Sequence, residues 1–210
     1  MKDKLVSNYP FFTNKVTSIL MPAKNIFTND NPSIINSNEL NLFYPASFYK
    51  HKNHILVNKI LHSTAFFKIK NVKFHLTISA KNWLNISKLT SLEIDYINFL
   101  GTISDLEVKE YYQKFGILFF PSIDETLGLP LIEAMKMGSY IICSDLPYAK
   151  LLCGYEAIYF NPNDVDSVIE SILELKNKIN NCEIPNWSKA LAKFPQNWND
   201  YVDQFIQVLK

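Results

Sequence analysis

The chain has 210 residues, which suits one ordinary domain or one domain plus part of another. With 48% hydrophobic and 14% aromatic residues it can bury a sizeable core, and a net charge of +1 argues against nucleic acid or an anionic membrane as the main partner. All 21 cations are lysine, so any phosphate must be held by lysine point charges, backbone N–H groups or hydroxyls, never by a guanidinium fork.

In chain order, Lys2 to Tyr9 reads as the end of a helix and Val16 to Met21 as a strand. Asn25 to Asn41, rich in Asn, Ser and Pro, reads as a linker. Leu42 to Pro45 is a short apolar strand, and Asn53 to His62 has helical spacing, with Ile55, Leu56, Ile60 and Leu61 on one side. Val72, Phe74, Leu76 and Ile78 alternate with polar residues as in a strand, and Ile94 to Leu100 is expected to be another. Ser104-Asp-Leu-Glu107 is a capping box that starts a helix running to about Lys114.

Ile117 to Phe120 is a buried strand, followed by a helix with Pro130 in its first turn and Gly138 at its close. Tyr140 to Cys143 and Ala157 to Phe160 are strands. A helix from Asp164 to about Lys176 and a final amphipathic helix over Asn199 to Leu209 complete the pattern. Strands alternating with helices imply one parallel sheet covered on both faces, with ligands beyond the carboxyl ends of its strands.

Three cysteines without metal or redox spacing (Cys143, Cys153 and Cys182) fit a reducing cytoplasm, with Cys143 in the core. No run approaches the length of a spanning helix, and the N-terminus lacks the pattern of a signal peptide. His51 and His54 are expected to be surface or helix-start residues rather than metal ligands. The Phe11-Phe12 and Phe66-Phe67 pairs are expected in a core or interface, and Lys68, Lys70 and Lys73 on a solvated face.

The informative stretch runs from Phe120 to Met135. It leaves a buried strand, turns through Gly128 and enters a helix at Pro130, whose free N–H groups favour a bound phosphate. Glu125 lies in the loop and Glu133 is expected on the first turn of the helix, where a carboxylate can accept two ribose hydroxyls. Taken singly, Glu125 is a solvated loop acid and Glu133 an acid favoured by the helix dipole.

The whole string resembles the Glu-x7-Glu signature of family 4 retaining glycosyltransferases of the GT-B group. Pro121, Ser122, Glu125, Thr126, Gly128, Leu129, Pro130, Glu133, Ala134, Met135, Gly138, Ser144 and Asp145 fall in register with it. The resemblance implies a single Rossmann-like domain, the C-terminal half of a GT-B fold. It implies that Glu133 holds the donor ribose, Glu125 lies by the donor sugar, and Gly128, Leu129 and Thr126 form the diphosphate turn. Lys52 corresponds to the lysine that neutralises the leaving diphosphate, and Ser47 stands where the family usually has arginine. Gly101, in Leu100-Gly-Thr-Ile-Ser-Asp105, corresponds to the loop where the nucleobase packs. A glutamate usual near Leu151 is absent.

By the same resemblance, residues 1–39 are the end of an acceptor domain plus a linker. Residues 40–182 form the nucleotide-sugar-binding domain, and 183–210 a C-terminal helical segment whose Trp198, Tyr201, Val202, Phe205 and Ile206 stripe seeks a surface. The implied activity is transfer of a hexose from a UDP- or GDP-hexose to a glycan or lipid-linked saccharide, with retention and without a metal. The implied setting is lipopolysaccharide O-antigen or capsule assembly in the cytoplasm, or peripherally at the inner face of the membrane. The first forty residues are too few for an acceptor domain. A separate acceptor-domain chain is therefore one expectation, and a non-catalytic binding subunit or a truncated remnant the alternative.

Overall fold

The computed structural model describes residues 6–13, 20–21, 26–28, 35, 37–69, 71–195 and 197–209. Strand β1 (Leu40–Tyr44) leads through the 3-10 turn Lys50–Lys52 into helix α1 (Ile55–Leu61). Strand β2 (Val72–Leu76) is followed by short helices α2 (Ala80–Trp83) and α3 (Ser91–Tyr96), then strand β3 (Ile97–Phe99). Helix α4 (Asp105–Phe115) crosses to β4 (Ile117–Phe120). Helix α5 (Leu129–Lys136), strand β5 (Tyr140–Ser144), helix α6 (Pro147–Cys153) and strand β6 (Ile158–Phe160) continue the alternation. Helices α7 (Val165–Asn180), α8 (Ser188–Leu191) and α9 (Trp198–Leu209) end the described chain.

The strands form one parallel sheet in the order β3-β2-β1-β4-β5-β6. Helices α1, α3 and α7 pack together, while α5 packs on α6 and α8, and the Tyr112 hydroxyl of α4 donates to Pro130 O at 3.0 Å. All four residues of β4 are buried, as in strands covered on both faces. Phe119 sits among Tyr44, Phe74 and Phe160, while Phe43 packs on Tyr111, Tyr112 and Phe115 of α4. Strand order reverses between β1 and β4, which opens a crevice at their carboxyl ends.

The expected elements recur, with four corrections. The strand expected over Ile94 to Leu100 is only Ile97–Phe99, because α3 takes Ile94 to Tyr96. Its start is a second capping box, in which the Glu93 carboxylate accepts the Thr90 N–H at 3.0 Å. In α1, Val57 is buried where Ile55 was expected, and Ile55 is exposed. Helix α6 was not expected, although Pro147 stands at its N-terminus. Leu40 and Asn41 belong to β1 rather than to a linker, and Phe27 is buried edge-on to Tyr112.

Residues 6–8 are helical, but most of the strand expected over Val16 to Met21 and much of the linker lie outside the described residues, as does Lys70; Leu20 and Met21 are described and are not in a strand. Phe66 is buried against Tyr96, whereas Phe11 is exposed and no core residue; the side chains of Phe12 and Phe67 lie outside the description. Lys68 is exposed and Lys73 half-buried. Cys143 and Cys153 are buried and Cys182 exposed, all three free. Among the described residues, no helix is long and apolar enough to cross a membrane. Trp198, Val202, Phe205 and Ile206 of α9 remain about half exposed.

Two histidines tie this fold to pH. His54 caps the start of α1, the helix-start place expected for it, and is buried there between Tyr44 and Phe48 rather than lying on the surface. Burial, helped by the Lys52 charge, holds its pKa down at about 4. His75 stacks on Phe115, and its Nε2 bonds Asn41 Oδ1 at 2.8 Å; burial, then Lys73 and Lys114, also lowers it to about 4. Both folded-state values lie below the unfolded value of about 6.5. Their contribution is therefore complete above pH 6.5 and is lost as pH falls to 4. The urea midpoint should decline across that window, and a His75→Gln variant should show a shallower decline.

Candidate functional site

The crevice is built by the loops that leave β1 and β4, and main-chain groups bind the two together. His51 O accepts the Ile123 N–H at 2.8 Å and the buried Ser122 hydroxyl at 3.1 Å. Asn53 adopts a left-handed conformation (φ 56°), which asparagine tolerates well. There its side-chain amide donates to Pro121 O at 3.2 Å and Pro162 O at 3.4 Å. The Tyr148 hydroxyl donates to Ser122 O at 2.7 Å, and that of Tyr44 to Lys52 O at 2.7 Å. Burial, then the Glu125 charge, pushes the Tyr44 phenol well above its usual pKa, so it remains a donor.

This scaffold delivers Lys52 to Glu125. The ammonium Nζ lies 2.5 Å from Glu125 Oε1, with side chains only 16% and 10% exposed. A charge-assisted bond so far from bulk water holds both groups in place across the crevice. The residues are 73 positions apart, and neither has another described ion-pair partner.

The crevice widens into two chambers that share His51, Lys52, Leu129 and Pro130. The larger, about 630 Å³, takes in Ser47, Thr77, Thr102, Ile103, Asp105 and Glu133. The smaller, about 410 Å³, is lined by Asp124, Glu125, Thr126, Leu127 and Gly128. Between them, α5 begins. Gly128 caps it at φ +65°, and a Cβ there would stand 3.2 Å from Leu131 Cδ1 and 3.3 Å from Leu152 Cδ1. Glycine meets both the positive φ and the close approach. Leu129, the first residue of the helix, lines both chambers beside Lys52, and Pro130 after it carries no N–H.

Of the residues singled out in the sequence, Lys52, Glu125, Thr126, Gly128, Leu129, Glu133 and Ser47 all line this crevice. Ser47 is exposed and supplies a hydroxyl without charge. Glu133 is the fifth residue of α5 rather than part of its first turn, so the helix dipole does not account for it. Its charge, after burial, raises the pKa of Tyr112 behind it. Gly101 is not on the wall: its N–H bonds Ile78 O at 3.2 Å and its φ of +70° turns Thr102 and Ile103 inward. Leu151 is exposed on α6 and lies outside both chambers. His51 stacks on Tyr49 and reaches both chambers.

Sequence reasoning missed Asn53, Tyr148 and Thr77. Thr77 Oγ1 accepts the Ala46 N–H at 2.8 Å and so fixes the loop after β1. For Asn53 a signal existed, an asparagine closing a short turn; for Tyr148 and Thr77 only the fold supplies the partner. Among the described residues, no three His, Cys, Asp or Glu side chains group as metal ligands.

An open parallel sheet with helices on both faces and a polar cleft at its strand-order reversal defines a Rossmann-like domain. Residues 40–178 match the family described as Glycosyl transferases group 1, and the chain belongs to that family. Among similar proteins, the O-antigen chain mannosyltransferase RfbU of Salmonella typhimurium is 38% identical over 111 residues, 53% of this chain and 28% of that protein. The O-antigen chain mannosyltransferase B of Escherichia coli is 29% identical over 116 residues, 55% of this chain and 30% of that one. The chain therefore matches less than a third of the length of these curated relatives.

A glycosyltransferase from Rickettsia africae superposes with a TM-score of 0.73 at 19% identity, over 100% of this chain and 61% of that one. A sucrose-phosphate synthase from Thermosynechococcus elongatus does so with a TM-score of 0.65 at 15% identity, over 98% and 56%. The fold is that of one Rossmann-like half of the GT-B glycosyltransferases.

Proposed function

We propose that this chain carries the donor site of a family 4-type retaining glycosyltransferase. It would move a hexose from a nucleotide-sugar to a glycan or lipid-linked acceptor in O-antigen or capsule assembly. The observation that carries the proposal is the meeting of Lys52 and Glu125 at 2.5 Å across the β1/β4 crevice, with Glu133 and the Gly128 turn in the same cleft. The mannosyltransferase relatives support the setting and the hexose.

The chemistry follows from charge. When the sugar–phosphate bond breaks, its electron pair goes to the phosphate oxygen, and negative charge grows on the diphosphate. Lys52 and the amides at the start of α5 would stabilise that growing charge, which makes a metal unnecessary in this proposal. Glu125 would orient the sugar in the smaller chamber, and Glu133 would accept the two ribose hydroxyls. The chain spans part of its relatives' length, so the acceptor site and transfer itself belong to the proposal too.

A calorimetric titration of the full chain with UDP and GDP tests the donor site directly. Glu133→Ala should weaken the bound nucleotide by roughly tenfold to a hundredfold, the worth of hydrogen bonds to a charged group. Equal affinity in wild type and variant refutes the ribose role. Tight nucleotide binding without turnover, even beside a candidate partner chain, favours a non-catalytic binding subunit.

A further inference from the structure

Electrostatically the crevice is short of positive charge. Among the described residues lining its two chambers, Asp105, Asp124, Glu125 and Glu133 are acids, and Lys52 is the one permanent cation. Lys52 already meets Glu125 at 2.5 Å, and the chain has no arginine to add a second. A nucleotide-sugar brings two more negative charges on its diphosphate. Like charges repel strongly in a partly buried cleft, so such a ligand needs a further positive group.

His51 is placed to be that group. It is the described lining residue, besides Lys52, that can carry positive charge, and it reaches both chambers. Its main chain is pinned, because His51 O accepts the Ile123 N–H and the Ser122 hydroxyl. Its ring lies parallel to that of Tyr49, with 9° between the planes. The other histidines are spent elsewhere. Burial holds His54 and His75 at about 4, and His62, beside Glu93, lines neither chamber.

We infer that donor binding in this chain is coupled to protonation of His51: the imidazolium joins Lys52 in holding the diphosphate, and the donor is bound together with a proton. The inference rests on the donor-site reading above. The charged groups around the ring are Lys50 and Lys52 on its own turn, Asp124 and Glu125 on the loop after β4, Glu133 on α5 and Asp105 on α4. Acids and lysines pull in opposite directions in the free protein, and a bound dianion adds a pull toward the charged ring. Only the imidazolium attracts the phosphates. The added affinity is therefore present on the acid side of the histidine range and is lost as pH rises through it.

Calorimetric titration of the full chain with UDP-glucose and GDP-mannose at pH 6 and pH 8 tests this. The diphosphate of a nucleotide-sugar keeps both charges throughout that range, so the ligand itself does not titrate. The donor that binds should do so about fivefold more tightly at pH 6 than at pH 8, the worth of one good ion pair near solvent. At pH 7 the heat of binding should vary with the ionisation heat of the buffer in the direction of proton uptake. His51→Gln should remove both signatures, and His51→Arg should bind at both pH values as tightly as the wild type does at pH 6. Equal wild-type affinity at the two pH values, without proton uptake, overturns the inference and spares the donor site. So does a pH dependence that survives in His51→Gln. So does a loss of affinity in that variant that is equal at both pH values, which would make the ring a packing residue only. If the folded wild type binds neither donor at either pH, the donor-site reading fails and takes this inference with it.

Discussion

Lys52→Ala should lower the rate of donor turnover by about a hundredfold to a thousandfold, the loss seen when one preorganised group facing developing charge is removed. Nucleotide affinity should fall less than tenfold. The asymmetry is the informative part. A lysine that meets the diphosphate equally before and during bond breaking would alter affinity and turnover together. One that meets charge as it develops alters mainly the rate. The substitution also leaves Glu125 as a largely buried carboxylate without its partner, so the melting temperature must be followed alongside. Glu125→Gln separates the two effects, because it breaks the ion pair and keeps the lysine. If Lys52→Ala and Glu125→Gln lose turnover only in proportion to a fall in folded fraction, the pair is structural.

Phe119→Ala should cost about 3–5 kcal/mol of stability. Phe119 is fully buried in β4, stacked on Phe160 at 5.6 Å and set edge-on to Phe74 at 5.5 Å. Central strands offer little room to collapse around a missing ring, because both faces are already close-packed. A loss of that size is a large share of the stability of an ordinary domain. It should appear as a melting temperature lower by roughly ten degrees or more. Phe119→Leu should retain most of it. A shift of only a degree or two for alanine would mean that this part of the core is looser than the packing describes.

The parallel architecture was legible because its signals are local. Apolar runs such as Ile117 to Phe120, the Ser104–Glu107 cap and the Pro130 and Gly138 punctuation each act over a few residues. The same scale explains the errors. Thr90 to Glu93 is a cap of the same kind, yet the apolar residues after it also suit a strand, and only hydrogen bonding showed where the helix ends. Ile55 and Val57 are both apolar, and their order of burial depends on how α1 lies against α3 and α7.

The candidate site divides in a similar way. Glu125, Gly128 and Glu133 were visible because one loop and one helix hold all three within nine residues of chain. By itself the sequence determined the residue types of that loop, the absence of any arginine and the alternation that makes a parallel sheet. Tertiary structure alone decided that Lys52 meets Glu125 and that Asn53 and Tyr148 bind the loops together. It also decided that Asp105 shares a cleft with Glu133. The reason is strand order: β1 and β4 are distant in the chain but adjacent in the sheet, and no local propensity encodes which strands become neighbours.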